Sequence, residues 1–257
     1  MLSDFVFVER RDNIQLVGLA REAKRNALND GMVEALERVF ARVPEGVRAI
    51  VLHGRGANFS AGLDLSELTE RDAVQGLMHS RMWHAALDKI QFGSVPVIAA
   101  LQGAVIGGGL ELACAAHIRV AETSAFYALP EGQRGIFVGG GGSVRLPRLV
   151  GVALMMDMMM TGRVIKAEEG RPLGFSQYLV EPGQGLETAI ELAKKVAGNA
   201  PMTNYALMHV LPKIADAGRE EGLMMESLTA AIAQSAPEAK ARLRDFLEKR
   251  AAKVEVK

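Results

Sequence analysis

The sequence of 257 residues has a single cysteine, Cys114. One thiol cannot form an intrachain disulfide, so the chain suits a reducing compartment. Flanked by Ala113 and Ala115, Cys114 reads as a small buried hydrophobe rather than a nucleophile. A charge excess is also missing. Thirty Lys and Arg oppose thirty Asp and Glu, and the net charge is zero. Nucleic-acid binders carry a basic surplus and membrane-surface binders a basic tract, so neither partner is expected. No uncharged apolar run reaches ~18 residues, which excludes a transmembrane helix. The opening stretch MLSDFVFVERRD holds charges and no apolar signal-peptide core. Together these absences point to the cytoplasm. The five histidines (His53, His79, His84, His117 and His209) form no ligand cluster, so no metal is expected. There is no internal repeat, no low-complexity linker and no serine in a nucleophile elbow.

What is present is an ordinary globular composition, with 49% hydrophobic and 23% charged residues. Residues 5–20 alternate around a polar RDN turn and read as a hairpin. Short apolar runs at 47–54, 95–103 and 117–122 read as strands. Helical spacing is found at 29–43, where Asn29 or Asp30 can cap, and 64–92 reads as mostly helical. Further helices are expected at 152–163, 185–199, 222–235 and 237–253. The methionine stripe in the first of these reads as core or subunit contact. Strands separated by helices give an α/β class with parallel pairing. The expected division is a core over 1–190 and a helical region over 191–257.

Three segments can carry chemistry. FSAGLDL (59–65) follows a strand closely, and Gly62 allows the backbone to approach a ligand. Alternatively it is a tight turn capped by Asp64. GGGLEL (107–112) also follows a strand. Free N–H groups at a helix start can hold an oxyanion, and glycines remove the side chains that would block it. Gly108 and Glu111 are three apart and share a helix face, so a carbonyl at Gly108 lies near Glu111. As a mere packing joint, this segment would bury a carboxylate without reason. The third segment, 128–151, places Glu131 in a loop. Two carboxylates near one site can divide acid and base work. Neither GGG nor GGGG (139–142) has the residues of a P-loop or a dinucleotide fingerprint.

Taken in order, KRNALN (24–29), FSAGLDL (59–65), PVIAALQGAVIGGGLELA (96–113), PEGQRGIFVGGGGSVRLPRLVG (130–151) and FLEKR (246–250) resemble the crotonase (enoyl-CoA hydratase/isomerase) superfamily. The resemblance implies a spiral of ββα units and a helical C-terminal region used in trimerisation, with trimers pairing into hexamers. It implies an acyl-CoA thioester as ligand and no cofactor beyond the coenzyme A of the substrate. It places the thioester oxygen between the N–H groups of Leu63 and Gly108. Glu111 and Glu131 match the two glutamates of the hydratase branch, with Glu111 as water base and Glu131 as proton donor to Cα.

By the same resemblance, Lys24, Arg25, Ala61, Asp64 and Leu65 meet coenzyme A. Leu68, Met78, Met82, Trp83, Phe137 and Val138 border the acyl group. His117 stands where relatives commonly have Asp, so a structural salt bridge is expected to be missing. Val138 replaces a common Pro, and the closing KARLRDFLEKR lacks a common Gly. The segment around EGQRGIFVGGGG also looks somewhat like hydratases of methylthioacryloyl-CoA. The expected activity is hydration of a 2-enoyl-CoA to a 3-hydroxyacyl-CoA. The alternatives are isomerisation, retro-aldol cleavage, hydration followed by thioester hydrolysis, or a non-catalytic CoA-ester or RNA-binding role.

Overall fold

A computed structural model of the chain describes residues 4–67 and 70–248. Strands β1 (Val6–Arg11) and β2 (Ile14–Leu19) form the expected hairpin. Its two-residue turn is closed by Asp12 at a φ of 56°, a conformation that aspartate tolerates. Helix α1 (Asp30–Ala41) starts where Asn29 accepts a bond of 3.0 Å from the Met32 N–H, and it buries Met32, Val33, Leu36 and Phe40. Next come β3 (Ala49–Gly54) and α2 (Ala73–Gln91). The carboxylate of Asp72 accepts the Gln75 N–H while the Gln75 side chain accepts the Asp72 N–H, a reciprocal cap that fixes where α2 begins.

Then the chain repeats itself. Strand β4 (Val97–Leu101), short strand β5 (Ala104–Ile106) and helix α3 (Gly108–Ala115) make one ββα unit. Strand β6 (Ile118–Glu122), short strand β7 (Phe126–Ala128) and helix α4 (Gly142–Val150) make the next. Helix α5 (Val152–Thr161), strand β8 (Ile165–Lys166), helix α6 (Ala167–Leu173), strand β9 (Tyr178–Val180) and helix α7 (Gly185–Ala197) follow. The long strands form one sheet in the order β1-β2-β3-β4-β6-β9, parallel from β2 onward. The short strands form a second sheet, β5-β7-β8. After β3 an isolated parallel bridge from Ser60 to Val105, on β5, takes the place of a short strand. This is the expected mixed α/β spiral.

Every residue of β3 and β4 is buried, which explains their unbroken apolar runs: parallel strands covered on both faces show no alternation. Leu36, Leu52, Phe59, Leu101 and Tyr127 belong to the core on one side. Ala189, Ile190 and Ala193 of α7 cover Leu16, Val51 and Ile98 on the other. The division expected at residue 190 falls inside α7, and the chain instead separates after Ala197 into two compact units. The packing of α7 on the sheet explains the shift. The second unit contains α8 (Pro201–Tyr205), a π-helical turn (Ala206–Val210), α9 (Leu211–Asp216), α10 (Arg219–Ser235) and α11 (Pro237–Leu247). Among the described residues no helix is long and apolar enough to cross a membrane. His117 has polar partners of its own: Nδ1 accepts the Val97 N–H at 2.9 Å and Nε2 donates to the Gln91 carbonyl at 2.9 Å. It ties the end of α2 to the start of β4.

Candidate active site

The site is built from two turns that leave backbone donors unused. Between β5 and α3, Gly107 takes a φ of 52° and its N–H donates to the Ala128 carbonyl at 2.9 Å. Helix α3 therefore begins at Gly108 with a free end. After β3, the Leu28 N–H donates to the Gly62 carbonyl at 2.7 Å and the Asp64 N–H to the Leu28 carbonyl at 2.8 Å. Leu63 sits between them. Among the described residues neither the Leu63 nor the Gly108 N–H has an acceptor. The two turns touch closely. A Cβ on Gly62, whose φ is 87°, would lie 2.5 Å from the Ile106 carbonyl oxygen. A Cβ on Gly108 would lie 3.6 Å from the Leu63 nitrogen. Both donors line one cavity of about 390 Å³.

Glu111 and Glu131 line the same cavity and are only 4% and 8% exposed. Their environments differ. Oε1 of Glu111 accepts the Gly140 N–H at 2.8 Å and the Gly142 N–H at 2.7 Å. Burial pushes its carboxyl upward from the ordinary carboxylate value, and these backbone donors oppose that rise. Oε2 of Glu131 is buried and has no partner among the described residues. Burial pushes Glu131 upward as well, and the neighbouring Glu111 charge adds to the rise. The same carboxyl leans on a bare backbone, since a Cβ on Gly107 would lie 2.5 Å from Oε1.

The tetraglycine run that lacked a phosphate-loop signature has another use here. A Cβ on Gly142 would lie 2.7 Å from Cγ of Glu111, and one on Gly140 would lie 3.2 Å from its Oε2. Only a chain without side chains can lay its N–H groups on this carboxylate. Arg145 fixes that loop. Its Nη1 donates to the Gly140 carbonyl at 2.9 Å, its Nε to Gln91 at 2.6 Å and its Nη2 to Asp88 at 2.6 Å.

The structure brings together most, not all, of the residues expected here. Ala61, Leu63, Leu65, Trp83, Gly108, Glu111, Glu131, Phe137 and Val138 all line the cavity. Met78 and Met82 do not. On α2 the cavity face is Gly76, His79, Ser80 and Trp83, a set spaced three and four apart. Met78 is 63% exposed and Met82 packs against the core. Leu68 lies outside the described residues. Trp83 is buried, with ring atoms 3.0 Å and 3.1 Å from where a Cβ on Gly108 would stand.

Lys24, Arg25 and Asp64 lie beside the cavity rather than in its wall. Asp64 binds Arg21 at 2.8 Å and Lys24 at 3.0 Å, and it accepts the Ser66 N–H at 3.0 Å and hydroxyl at 2.6 Å. The Ser66 hydroxyl, then Lys24 and Arg21, hold its carboxyl well below the usual carboxylate range. Asp64→Asn should therefore lower stability by about 1–3 kcal/mol in a urea titration at neutral pH. The carboxylate contributes above its unfolded value of ~3.9 and loses that contribution as pH falls toward its lower folded value. The gap between the two proteins should narrow below about pH 4. Arg25 takes a left-handed φ of 51° and accepts the Ala61 N–H at 2.9 Å through its carbonyl. Sequence reasoning missed His79, Ser80, Arg71 and Arg134 in the cavity wall, since no local pattern marks which polar residues of α2 and the 131–138 loop face inward.

The family model described as enoyl-CoA hydratase/isomerase matches residues 9–257. The chain belongs to the enoyl-CoA hydratase/isomerase family. It is an enzyme of enoyl-CoA hydratase type, and its ligands are acyl-CoA thioesters. Among family members, the short-chain-enoyl-CoA hydratase of Clostridium acetobutylicum is 31% identical over 248 residues, covering 95% of each protein. The 2,3-dehydroadipyl-CoA hydratase of Escherichia coli is 31% identical over 249 residues, covering 95% of this chain and 96% of its own. A crystal structure of a candidate enoyl-CoA hydratase from Rhodopseudomonas palustris is 62% identical, with a TM-score of 0.94 over 97% of both chains. The similarity thus spans the helical region as well as the sheet core.

Proposed function

We propose that the protein hydrates a 2-enoyl-CoA thioester to the 3-hydroxyacyl-CoA. The observation that carries this reading is the pair of buried carboxyls, Glu111 and Glu131, on one cavity with two unused backbone N–H groups. A thioester oxygen on Leu63 and Gly108 receives charge as water adds, and donors fixed in advance stabilise that charge. Glu111, which two N–H groups favour as a carboxylate, takes a proton from the water attacking Cβ. Glu131, which has no donor at Oε2 among the described residues and is pushed toward its neutral form, gives a proton to Cα. The enolate collapses back to the thioester, and one water has been added. Isomerisation needs proton transfer without water, and a single acid–base group suffices for it. Two acids on one cavity favour water chemistry.

The two roles need opposite protonation states, so kcat/KM should follow a bell in pH. The acid limb reports loss of the Glu111 carboxylate and the alkaline limb loss of the Glu131 proton. Both carboxyls are raised above 4.5, so both apparent values of the pair should lie above it. Following the loss of enoyl-thioester absorbance of crotonyl-CoA across about pH 5 to 10 tests this. A rate that does not fall on the alkaline side would remove Glu131 as acid.

The reaction needs no cofactor beyond the coenzyme A of the substrate. Ala61 and Leu65 flank it at the cavity rim, with Lys24 and Arg25 close by. We place the protein in the cytoplasm, as a homotrimer or a dimer of trimers. Exposed Met156 and Met160 on α5, and Leu223, Leu228 and Ile232 on α10, support self-association, and solution mass tests it.

A further inference from the structure

The cavity wall carries more positive charge than a plain hydrocarbon chain needs. Arg71 and Arg134 both line it, together with the His79 imidazole. Arg71 and His79 share one carboxylate. Nη2 of Arg71 lies 3.4 Å from Oδ2 of Asp30, and Nε2 of His79 lies 2.7 Å from its Oδ1. Asp30 therefore offsets about one positive charge at this end. Arg134 is different. Its backbone N–H bonds to the Glu131 carbonyl, yet no side chain among the described residues binds its guanidinium. It follows Glu131 by three positions and is close enough that its charge acts on that carboxyl. Beside it, Ile136 and Phe137 present apolar surface at 41% and 69% exposure. The wall thus combines an apolar track, made by Trp83, Phe137 and Val138, with a guanidinium that no described side chain binds.

A saturated acyl tail would use the track and leave the guanidinium to solvent. A chain with an anionic end would use both. From these residues we infer that the preferred acyl group carries a terminal carboxylate, bound by Arg134 with support from Arg71. The reactive end then stays on Leu63, Gly108 and the two glutamates, and the far carboxylate faces the arginine fork, which suits a bidentate partner. This inference rests on the acyl-CoA reading of the cavity and does not require that the reaction be hydration.

Binding of saturated thioesters tests it without turnover. Calorimetric Kd values are compared for adipoyl-CoA against hexanoyl-CoA, and for suberoyl-CoA against octanoyl-CoA. The wild-type protein should bind at least one diacid thioester about tenfold more tightly than its monoacid match, the scale of one charge-assisted hydrogen bond. The preference should shrink as salt is raised. Arg134→Gln should remove most of it, Arg134→Lys should keep part, and Arg71→Gln should cost less because Asp30 already holds that side chain. Equal or tighter binding of both monoacid thioesters by the wild type would overturn the inference. So would a diacid preference that survives Arg134→Gln. The unsaturated counterparts are assayed in parallel. Failure to hydrate any of them would count against hydration and would leave the Kd comparison standing.

Discussion

Replacing Glu131 by glutamine lowers kcat for enoyl-CoA hydration by about 10²–10⁴-fold, the range for losing a positioned general acid. The amide keeps the size of the side chain and cannot deliver a proton. The site should stay folded, because no described residue bonds Oε2 of Glu131. The alkaline limb of the pH profile should vanish with it. Glu111→Gln should cause a loss of the same order and differ in its secondary effect. Oε1 of Glu111 accepts two backbone bonds from the glycine loop, so an amide that turns its nitrogen toward Gly140 and Gly142 also loosens that loop. The double variant should be far less impaired than the product of the single losses, since the two groups act as a unit. Steady-state kinetics on crotonyl-CoA, with circular dichroism to confirm folding, would check all three proteins.

Gly108→Ala is the second large effect. The new methyl would stand 3.6 Å from the Leu63 nitrogen and 3.0 Å from Cζ3 of Trp83. It would crowd the cavity wall between Trp83 and the Leu63 nitrogen, so a thioester oxygen should lose its close approach to at least one of the two N–H groups. Losing one such donor typically costs about 10²–10³ in kcat. KM should change much less, because the rest of the thioester binds elsewhere. A Gly108→Ala enzyme with near-normal kcat would show that the two N–H groups do not hold the developing oxyanion.

The long strands and helices were legible because each left a period or an unbroken apolar run. β3 and β4 are buried on both faces, and their sequences, AIVLHG and VIAAL, show it. The second sheet was not legible. β5, β7 and β8 have three, three and two residues, too few for any period, and only long-range pairing makes them strands. The pairing of Gly108 with Glu111 could be read from helix geometry, since three positions bring both to one face. The meeting of that face with Glu131, 20 positions on in the chain, could be expected only from the resemblance. The glycine loop was visible as a run and opaque as a function, because its role is to touch a carboxylate 29 and 31 residues away. Met78 and Met82 were misplaced for a simple reason. The phase of α2 relative to the cavity depends on where Asp72 caps the helix and how α2 packs, and hydrophobicity does not report it.

The most direct test is the mass of the product. Pure protein is incubated with crotonyl-CoA, and the CoA species are separated and weighed while free thiol is measured in the same sample. Hydration predicts a thioester heavier by one water, no free coenzyme A, and loss of that product in Glu111→Gln and Glu131→Gln. An unchanged mass with a shifted double bond, or release of free coenzyme A in place of the heavier thioester, would contradict it.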